Sequence, residues 1–209
     1  MDFHRPLTVV TPTLDADVLT ALARAEVEFS GRELARHVGH GSPEGIRRAA
    51  DRLVAQGILS RRSAGTAHLY RLNVQHLAAP WIEGLARLRE QLIDRLRELL
   101  ASWEEPARGA LLFGSVARGD ATALSNLDLL VIRSRDCDPD SDPWRAQLLA
   151  LQQAATAWTG NDARVLEYGE DELEGKPAER VMEDALRDGI ELVGSRRSLR
   201  KMVAAKDSR

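Results

Sequence analysis

The stretch LLFGSVARGDATALSNLDLLV, residues 111–131, governs how the second half of this 209-residue chain folds. It begins as a short apolar strand, passes through a Gly-Ser turn and one turn of helix, and ends in a second apolar strand that carries a carboxylate. Gly114 has no Cβ and lets an anion approach the backbone, Ser115 adds a hydroxyl, and the N–H groups that open the next helical turn point at the same anion. The pattern indicates a site for the phosphates of a nucleotide.

Three further side chains of the stretch favour the same interpretation. Arg118 can reach back toward the phosphates as an additional cation. Asn126 and Asp128 alternate along the second strand, so both side chains face the same side, an arrangement that presents paired ligands to Mg²⁺.

These residues resemble the signature of the DNA polymerase β-type nucleotidyltransferase superfamily in its minimal form, which is an apolar residue, Gly-Ser, a spacer and Asp-x-Asp among apolar residues. The matching positions are Phe113, Gly114, Ser115, Ala117, Arg118, Gly119, Asp120, Ser125, Asp128, Leu129 and Leu130. The resemblance implies an α/β domain with a small mixed sheet that binds a nucleoside triphosphate and Mg²⁺. It also implies, as one alternative, a toxin–antitoxin partner that the sequence does not name.

One position departs from the signature, because Asn126 stands where the family has its first metal-binding aspartate. A neutral amide is a poor substitute for a carboxylate that bridges two cations, so we expect weak or absent catalysis. The resemblance implies a third carboxylate from a later strand, and Glu167 in the predicted strand ARVLEYG is the candidate. An ordinary strand-edge glutamate is an equally good interpretation. The predicted catalytic and metal residues are therefore Asp128 and Glu167.

Composition limits the class of protein. The single Cys137 excludes a disulfide framework and a cysteine-rich zinc site. No run is long and apolar enough to span a bilayer, and the first ten residues do not have the form of a signal peptide. We expect a cytoplasmic protein with no membrane contact.

Charge is unevenly distributed although the net charge is only −3. Residues 31–75 hold eight arginines and three carboxylates, a local charge of +5, whereas residues 134–195 hold six basic and fifteen acidic side chains, a local charge of −9. The first segment can meet a polyanion, and the second would repel it.

Residues 13–74 show the order of a winged helix-turn-helix, with three helical patterns followed by a β-hairpin. Ser30 to Glu33 forms a capping box, and Ser42-Pro43 opens the third helix. The segment resembles MarR- or ArsR-like regulators, which implies that the third helix enters the major groove of double-stranded DNA and the hairpin contacts phosphates. The predicted DNA-binding residues are Arg47, Arg48, Arg52, Arg61 and Arg62. A protein-interaction module with a solvated arginine face is the alternative.

Residues 75–104 predict one long linker helix with an apolar stripe. The stripe is suited to a homodimer seam or to packing on the chain's own domains. The predicted organisation is an α+β protein, with these segments in order: an arm at 1–12, the winged helix-turn-helix at 13–74, the linker helix at 75–104, the nucleotidyltransferase-like domain at 105–195 and a basic tail at 196–209.

Two functions follow from these predictions. The first is a DNA-binding transcriptional regulator whose nucleotidyltransferase-like domain binds a nucleotide or partner with little or no turnover. The second is an active Mg²⁺-dependent nucleotidyltransferase that moves a nucleoside monophosphate onto a protein or a small molecule. Because Asn126 replaces a carboxylate, we favour the regulator.

Overall fold

The computed structural model of the chain describes residues 1–25, 27–173 and 180–204. Its architecture is α+β, with two small sheets and helices around each of them. None of the helices in these ranges is long and apolar enough to cross a membrane.

The chain divides into two compact units. The N-terminal unit contains Asp2 and residues 4–88, and the C-terminal unit contains Met1, Phe3 and the described residues from Arg89 onward.

The N-terminal unit is a helical unit with a three-stranded sheet. Its elements are a 3-10 helix Pro6–Val9, α1 Leu14–Ala23, β1 Phe29–Ser30, α2 Gly31–Val38, α3 Pro43–Ala55, β2 Leu59–Ala64, β3 Ala67–Leu72 and α4 Ala79–Ala86. Strands β2 and β3 form an antiparallel hairpin, and β1 pairs with β3, so the strand order is β1-β3-β2.

Local sequence signals set the ends of the two central helices. The Ser30 side chain accepts from the Glu33 N–H while the Glu33 carboxylate accepts from the Ser30 N–H, which confirms the predicted capping box. The Ser42 hydroxyl accepts from the Gly45 N–H at the start of α3. Gly39 ends α2 in the left-handed conformation.

The expected arm at residues 1–12 is folded. Phe3 is 2 % exposed within the core of the C-terminal unit, and Leu7 is 1 % exposed within the core of the N-terminal unit. Isolated apolar side chains anchor this segment without any periodic pattern, so no local signal predicts that it packs.

The predicted long helix is two helices. Its first part is α4, the chain leaves the helical conformation at Arg87, and α5 Leu88–Ala101 follows. Leu92, Leu96 and Trp103 are buried in the core of the C-terminal unit. Of the two alternatives for this part of the stripe, the structure shows packing on the chain's own domain and not a dimer seam.

The C-terminal unit continues from α5 with a four-stranded mixed sheet. Its further elements are β4 Gly109–Phe113, α6 Gly114–Arg118, β5 Leu127–Arg133, α7 Asp142–Thr159, β6 Ala163–Gly169, α8 Glu170–Leu173, α9 Arg180–Asp188, β7 Ile190–Val193 and α10 Arg196–Ala204. The strand order is β6-β5-β4-β7; β5 and β6 are parallel and the other neighbours are antiparallel.

Each face of this sheet packs against a different set of helices. On the first face, side chains such as Leu112, Leu129 and Val131 share a core with α5 and α7. On the second face, Leu111, Leu130 and Ile132 share a core with α9 and α10. Strand alternation thus separates the two cores by residue parity.

Apolar residues recur at helical spacing from Trp144 to Trp158 and predict a helix with one buried face, which α7 shows. Trp144, Leu151 and Ala155 are fully buried, and Trp144 meets Trp103 edge to face with ring centroids 5.4 Å apart.

The two ends of the predicted C-terminal region have different outcomes. The sequence predicts a helix from Pro177, but its first residues lie outside the described ranges and α9 is described from Arg180. The expected solvated tail is α10 as far as Ala204, held by Leu199, which is 2 % exposed. The remaining residues, 205–209, are outside the description.

Candidate functional site

The Gly-Ser turn lies where β4 ends and α6 begins, next to Asp128 on β5. Gly114 has φ +73°, a backbone conformation that favours glycine. A Cβ at Gly114 would lie 2.5 Å from Oδ2 of Asp128, so any side chain at this position would require the carboxylate to move. Ser115 follows as the second residue of α6. The structure therefore brings together the predicted turn and the predicted carboxylate.

The short helix α6 is held at its C-terminal end. Arg89 Nε donates to the carbonyl of Val116 at 2.8 Å, and Arg89 also donates to the carbonyl of Ala117. Gly119 caps the helix with φ +83° and donates to the carbonyl of Ser115. A cation at the helix C-terminus suits the macrodipole, so Arg89 fixes the turn from behind.

The loop that leads to Asn126 is held by a residue outside the signature. Asn161 is 2 % exposed, and its Nδ2 donates to the carbonyls of Ser125 at 2.8 Å and Thr122 at 3.3 Å. The sequence predicts only a turn at this asparagine. Its role depends on long-range contacts that no local pattern reveals.

Asp128 is a half-buried carboxylate between two guanidinium groups. Burial raises its pKa, while the positive charges of Arg164 and Arg118 act in the opposite direction. No donor within the described ranges forms a hydrogen bond to this carboxylate. Arg118 itself forms an exposed ion pair with Asp120, with Nε and Oδ2 3.4 Å apart.

Arg164 is a site residue that the sequence motifs did not indicate. It pairs in register with Asp128 across the parallel strands β5 and β6, so both side chains leave the same face, roughly 5 Å apart at the backbone. In the amide orientation that matches donors with acceptors, the Asn126 oxygen accepts from Nη1 and Nη2 of Arg164, each at 3.2 Å. Arg164 Nε also donates to Asp162 Oδ2 at 3.3 Å.

Glu167 does not join Asp128, which corrects the predicted pair of metal ligands. In the same register Glu167 lies opposite Val131, on the first face of the sheet, whereas Asp128 lies on the second. Glu167 Oε1 instead accepts from Arg133 Nε at 2.9 Å and from Trp144 Nε1 at 3.0 Å. Because Arg133 is only 5 % exposed, the glutamate neutralises a buried cation.

The residues present do not fit Mg²⁺. Within residues 1–25, 27–173 and 180–204, no group of three or more histidine, cysteine, aspartate or glutamate side chains could hold a metal ion. Beside Asp128 the sheet offers the neutral amide of Asn126 and the guanidinium of Arg164. A hard dication prefers carboxylate oxygens and is repelled by a neighbouring cation.

The predicted DNA-binding arginines of α3 form ion pairs on the surface of the N-terminal unit. Arg47 and Arg48 both bind Glu44, with shortest distances of 2.7 Å and 3.0 Å. Arg52 binds Asp15 of α1 at 2.7 Å. Two adjacent guanidinium groups lower the pKa of Glu44 to about 2, so this carboxylate remains charged in all but very acidic solution.

The arginines of the hairpin are paired in the same way. Arg61 binds Asp51 at 3.0 Å, and Arg62 binds Glu28. Five arginines thus meet four carboxylates, two of which lie outside the segment with a local charge of +5. The structure places the five arginines on α3 and the hairpin, but their surface is less positive than the sequence indicated.

No protein-family model matches the chain. No curated protein matches it either.

Several solved structures are similar to part of the chain. A toxin–antitoxin complex with AMP-PNP is 16% identical, covers 54% of this chain and 82% of its own, and has a TM-score of 0.40. A mutant toxin–antitoxin MntA–HpeT is 14% identical, covers 54% and 81%, and has a TM-score of 0.39. A tri-AMPylated Shewanella oneidensis HEPN toxin in complex with MNT antitoxin is 14% identical, covers 56% and 82%, and has a TM-score of 0.37. At these values the similarities do not assign a function.

Proposed function

We propose that the C-terminal unit is a nucleotidyltransferase-like domain that binds a nucleoside triphosphate with little or no turnover. The observation that carries this proposal is the Gly114 turn, which abuts the Asp128 carboxylate at the end of the sheet. The positive charges of Arg118 and Arg164 both act on the pKa of this carboxylate, so two cations lie in its neighbourhood and would attract a phosphate chain.

Low turnover follows from the same geometry. Two-metal phosphoryl transfer depends on carboxylates that hold cations around the triphosphate and the attacking oxygen. Asn126 supplies no charge, and Glu167 is on the other face of the sheet. An active Mg²⁺-dependent transferase would need two further metal ligands beside Asp128, and neither Asn126 nor Glu167 supplies one.

The test is calorimetric titration of the full chain with ATP, GTP, CTP and UTP, together with a transfer assay that uses α-labelled ATP. We expect saturable binding that Arg118→Gln weakens and no label on protein or pyrophosphate release above background. Arg145→Gln is the matched control, because it removes another exposed arginine of the C-terminal unit that also forms an ion pair. Absence of binding by all four nucleotides would overturn the proposal.

A second proposal concerns the N-terminal unit, which we propose binds double-stranded DNA as a winged helix-turn-helix and makes the protein a transcriptional regulator. The observation that supports it is the succession α1, β1, α2, α3 and the β2–β3 hairpin, with β1 closing the sheet against β3. This is the order in which a winged helix presents one helix and one hairpin to DNA.

The test is selection of genomic DNA fragments by the purified protein, with and without ATP. A few strongly enriched sites would support a regulator, and a change in enrichment with ATP would make the nucleotide its signal. We expect Arg48→Gln to reduce enrichment and Arg97→Gln, on α5, to leave it unchanged. Equal recovery of all fragments would instead favour a protein-interaction module.

A further inference from the structure

Of the three carboxylates that the resemblance implies, only Asp128 lies on the second face of the sheet. Asn126 stands at the first position, and Asp128 retains the second. The third position belongs to a later strand, and on β6 the residue in register with Asp128 is Arg164. The charge of the three side chains is therefore zero instead of −3.

The replacements are also bonded to each other. In the amide orientation that matches donors with acceptors, the Asn126 oxygen accepts from both Nη atoms of Arg164, each at 3.2 Å, which holds the guanidinium beside the Asn126 side chain. A guanidinium can also bind two phosphate oxygens through two parallel hydrogen bonds, and it is always charged at physiological pH. Arg164 therefore supplies one positive charge on the face of the sheet where the resemblance implies a dication.

We infer that Arg164 replaces the divalent cation of the nucleotide site, so that the domain binds the triphosphate as a metal-free anion. This inference rests on the proposed nucleotide-binding function. The inference narrows the ligand from a Mg²⁺–nucleotide complex to the metal-free nucleotide. Arg164 then binds the phosphates directly.

The inference requires a specific response from the neighbouring carboxylate. In a metal-dependent site Asp128 holds the cation, so its removal abolishes nucleotide binding. In a site based on Arg164 the same carboxylate repels the phosphates, so its neutralisation strengthens binding. The sign of the effect of Asp128→Asn therefore separates the two mechanisms.

A first experiment tests the metal without any nucleotide. Mn²⁺ alone is titrated into the wild type and into Asn126→Asp/Arg164→Glu, and bound ion is followed by electron paramagnetic resonance. We expect the double variant, with three carboxylates on one face, to bind Mn²⁺ at least about tenfold more tightly than the wild type, since each tenfold needs only about 1.4 kcal/mol. Wild-type binding that Asp128→Asn removes, or no gain in the double variant, would overturn the inference.

A second experiment titrates ATP in EDTA and in Mg²⁺, with circular dichroism to verify that each variant is folded. We expect binding in EDTA at least as tight as in Mg²⁺, tighter binding by Asp128→Asn, and about tenfold weaker binding by Arg164→Gln, the ratio for one charge-assisted hydrogen bond. Arg145→Gln again serves as the control. Binding only in Mg²⁺ would refute the metal replacement and leave the proposed function intact. No binding in either buffer would refute both, because the inference rests on the proposed function.

Discussion

Asp128 and Glu167 project from opposite faces of the same four-stranded sheet. The parallel register pairs Asp128 with Arg164 and Val131 with Glu167, so the two carboxylates are separated by the sheet itself. A site that the sequence presents as two acids is thus one acid beside an arginine. The second acid forms an ion pair with the buried Arg133 on the other face of the sheet.

Removal of the Glu167 charge is expected to destabilise the C-terminal unit without changing nucleotide binding. Glu167→Gln removes the negative charge 2.9 Å from the buried Arg133 guanidinium and leaves Glu172, at 3.7 Å, as its remaining ionic partner among the described residues, so we expect a loss of about 1.5–3 kcal/mol in the free energy of unfolding by urea. Asp140→Asn is the control, because it breaks an exposed pair with Arg145 and should cost less than about 1 kcal/mol. A loss of nucleotide affinity in Glu167→Gln would contradict this prediction and show that Glu167 contributes to the nucleotide site.

Gly114 is expected to tolerate no side chain, for two separable reasons. Gly114→Ala and Gly119→Ala both place a Cβ on a residue with left-handed backbone angles. Each should lower the free energy of unfolding by about 1–2 kcal/mol for this reason alone. Only at Gly114 does that Cβ also meet Asp128, whereas Gly119 has open space around it. We therefore expect Gly114→Ala to cost about 1–3 kcal/mol more.

A double-mutant cycle checks the cause of this excess. Because the clash is with the Asp128 carboxylate, the excess should disappear when Gly114→Ala is made in an Asp128→Ala background. An excess that persists there would mean that the turn is constrained by another neighbour.

The unfolding free energy of Asp128→Asn should exceed that of the wild type increasingly as pH rises. Burial raises the pKa of Asp128 in the folded state, so the unfolded chain, with an ordinary value of about 3.9, releases the proton first. As the pH rises from the pKa of Asp128 in the unfolded chain to its higher pKa in the folded protein, the wild type therefore loses stability. The amide introduced by Asp128→Asn does not titrate, so the variant does not lose this stability. Urea denaturation at pH 3 and pH 7 measures the difference, which should be near zero at the lower pH and positive at the higher one. A negative difference at pH 7 would show that the carboxylate is stabilising.

Neutralisation of Glu44 is expected to strengthen DNA binding if the N-terminal unit contacts DNA. Glu44→Gln releases Arg47 and Arg48 together, and each new phosphate contact should steepen the slope of log affinity against log salt by about 0.9. Glu98→Gln removes the same charge from α5 and is the control. Since the pKa of Glu44 is about 2, lowering the pH to 5 should not reproduce the effect. Unchanged affinity in Glu44→Gln would place DNA elsewhere.

Most local elements of this chain could be predicted because their signals lie within a few residues. The capping box at Ser30, the proline that opens α3 and the apolar stripe of α7 each specify a helix through contacts one or two turns away. The Gly-Ser turn between two apolar strands was recognisable for the same reason. Alternation along β5 also separated the residues of the two cores, although Asn126, which the sequence places on this strand, lies just before its first residue, Leu127.

Features that depend on two distant segments could not be predicted in this way. The face on which Glu167 lies relative to Asp128 is set by the register between two strands, and a shift of one residue exchanges the faces. Which surface covers the stripe from Leu92 to Trp103 depends on the packing of the whole C-terminal unit. The charge of the arginine surface depends on Asp15 and Glu28, which lie outside the basic segment and pair with Arg52 and Arg62. Sequence determined the elements and the turn, because short-range sterics and capping define them; tertiary structure placed Arg164 beside Asp128, because only strand pairing joins residues that are far apart in the chain.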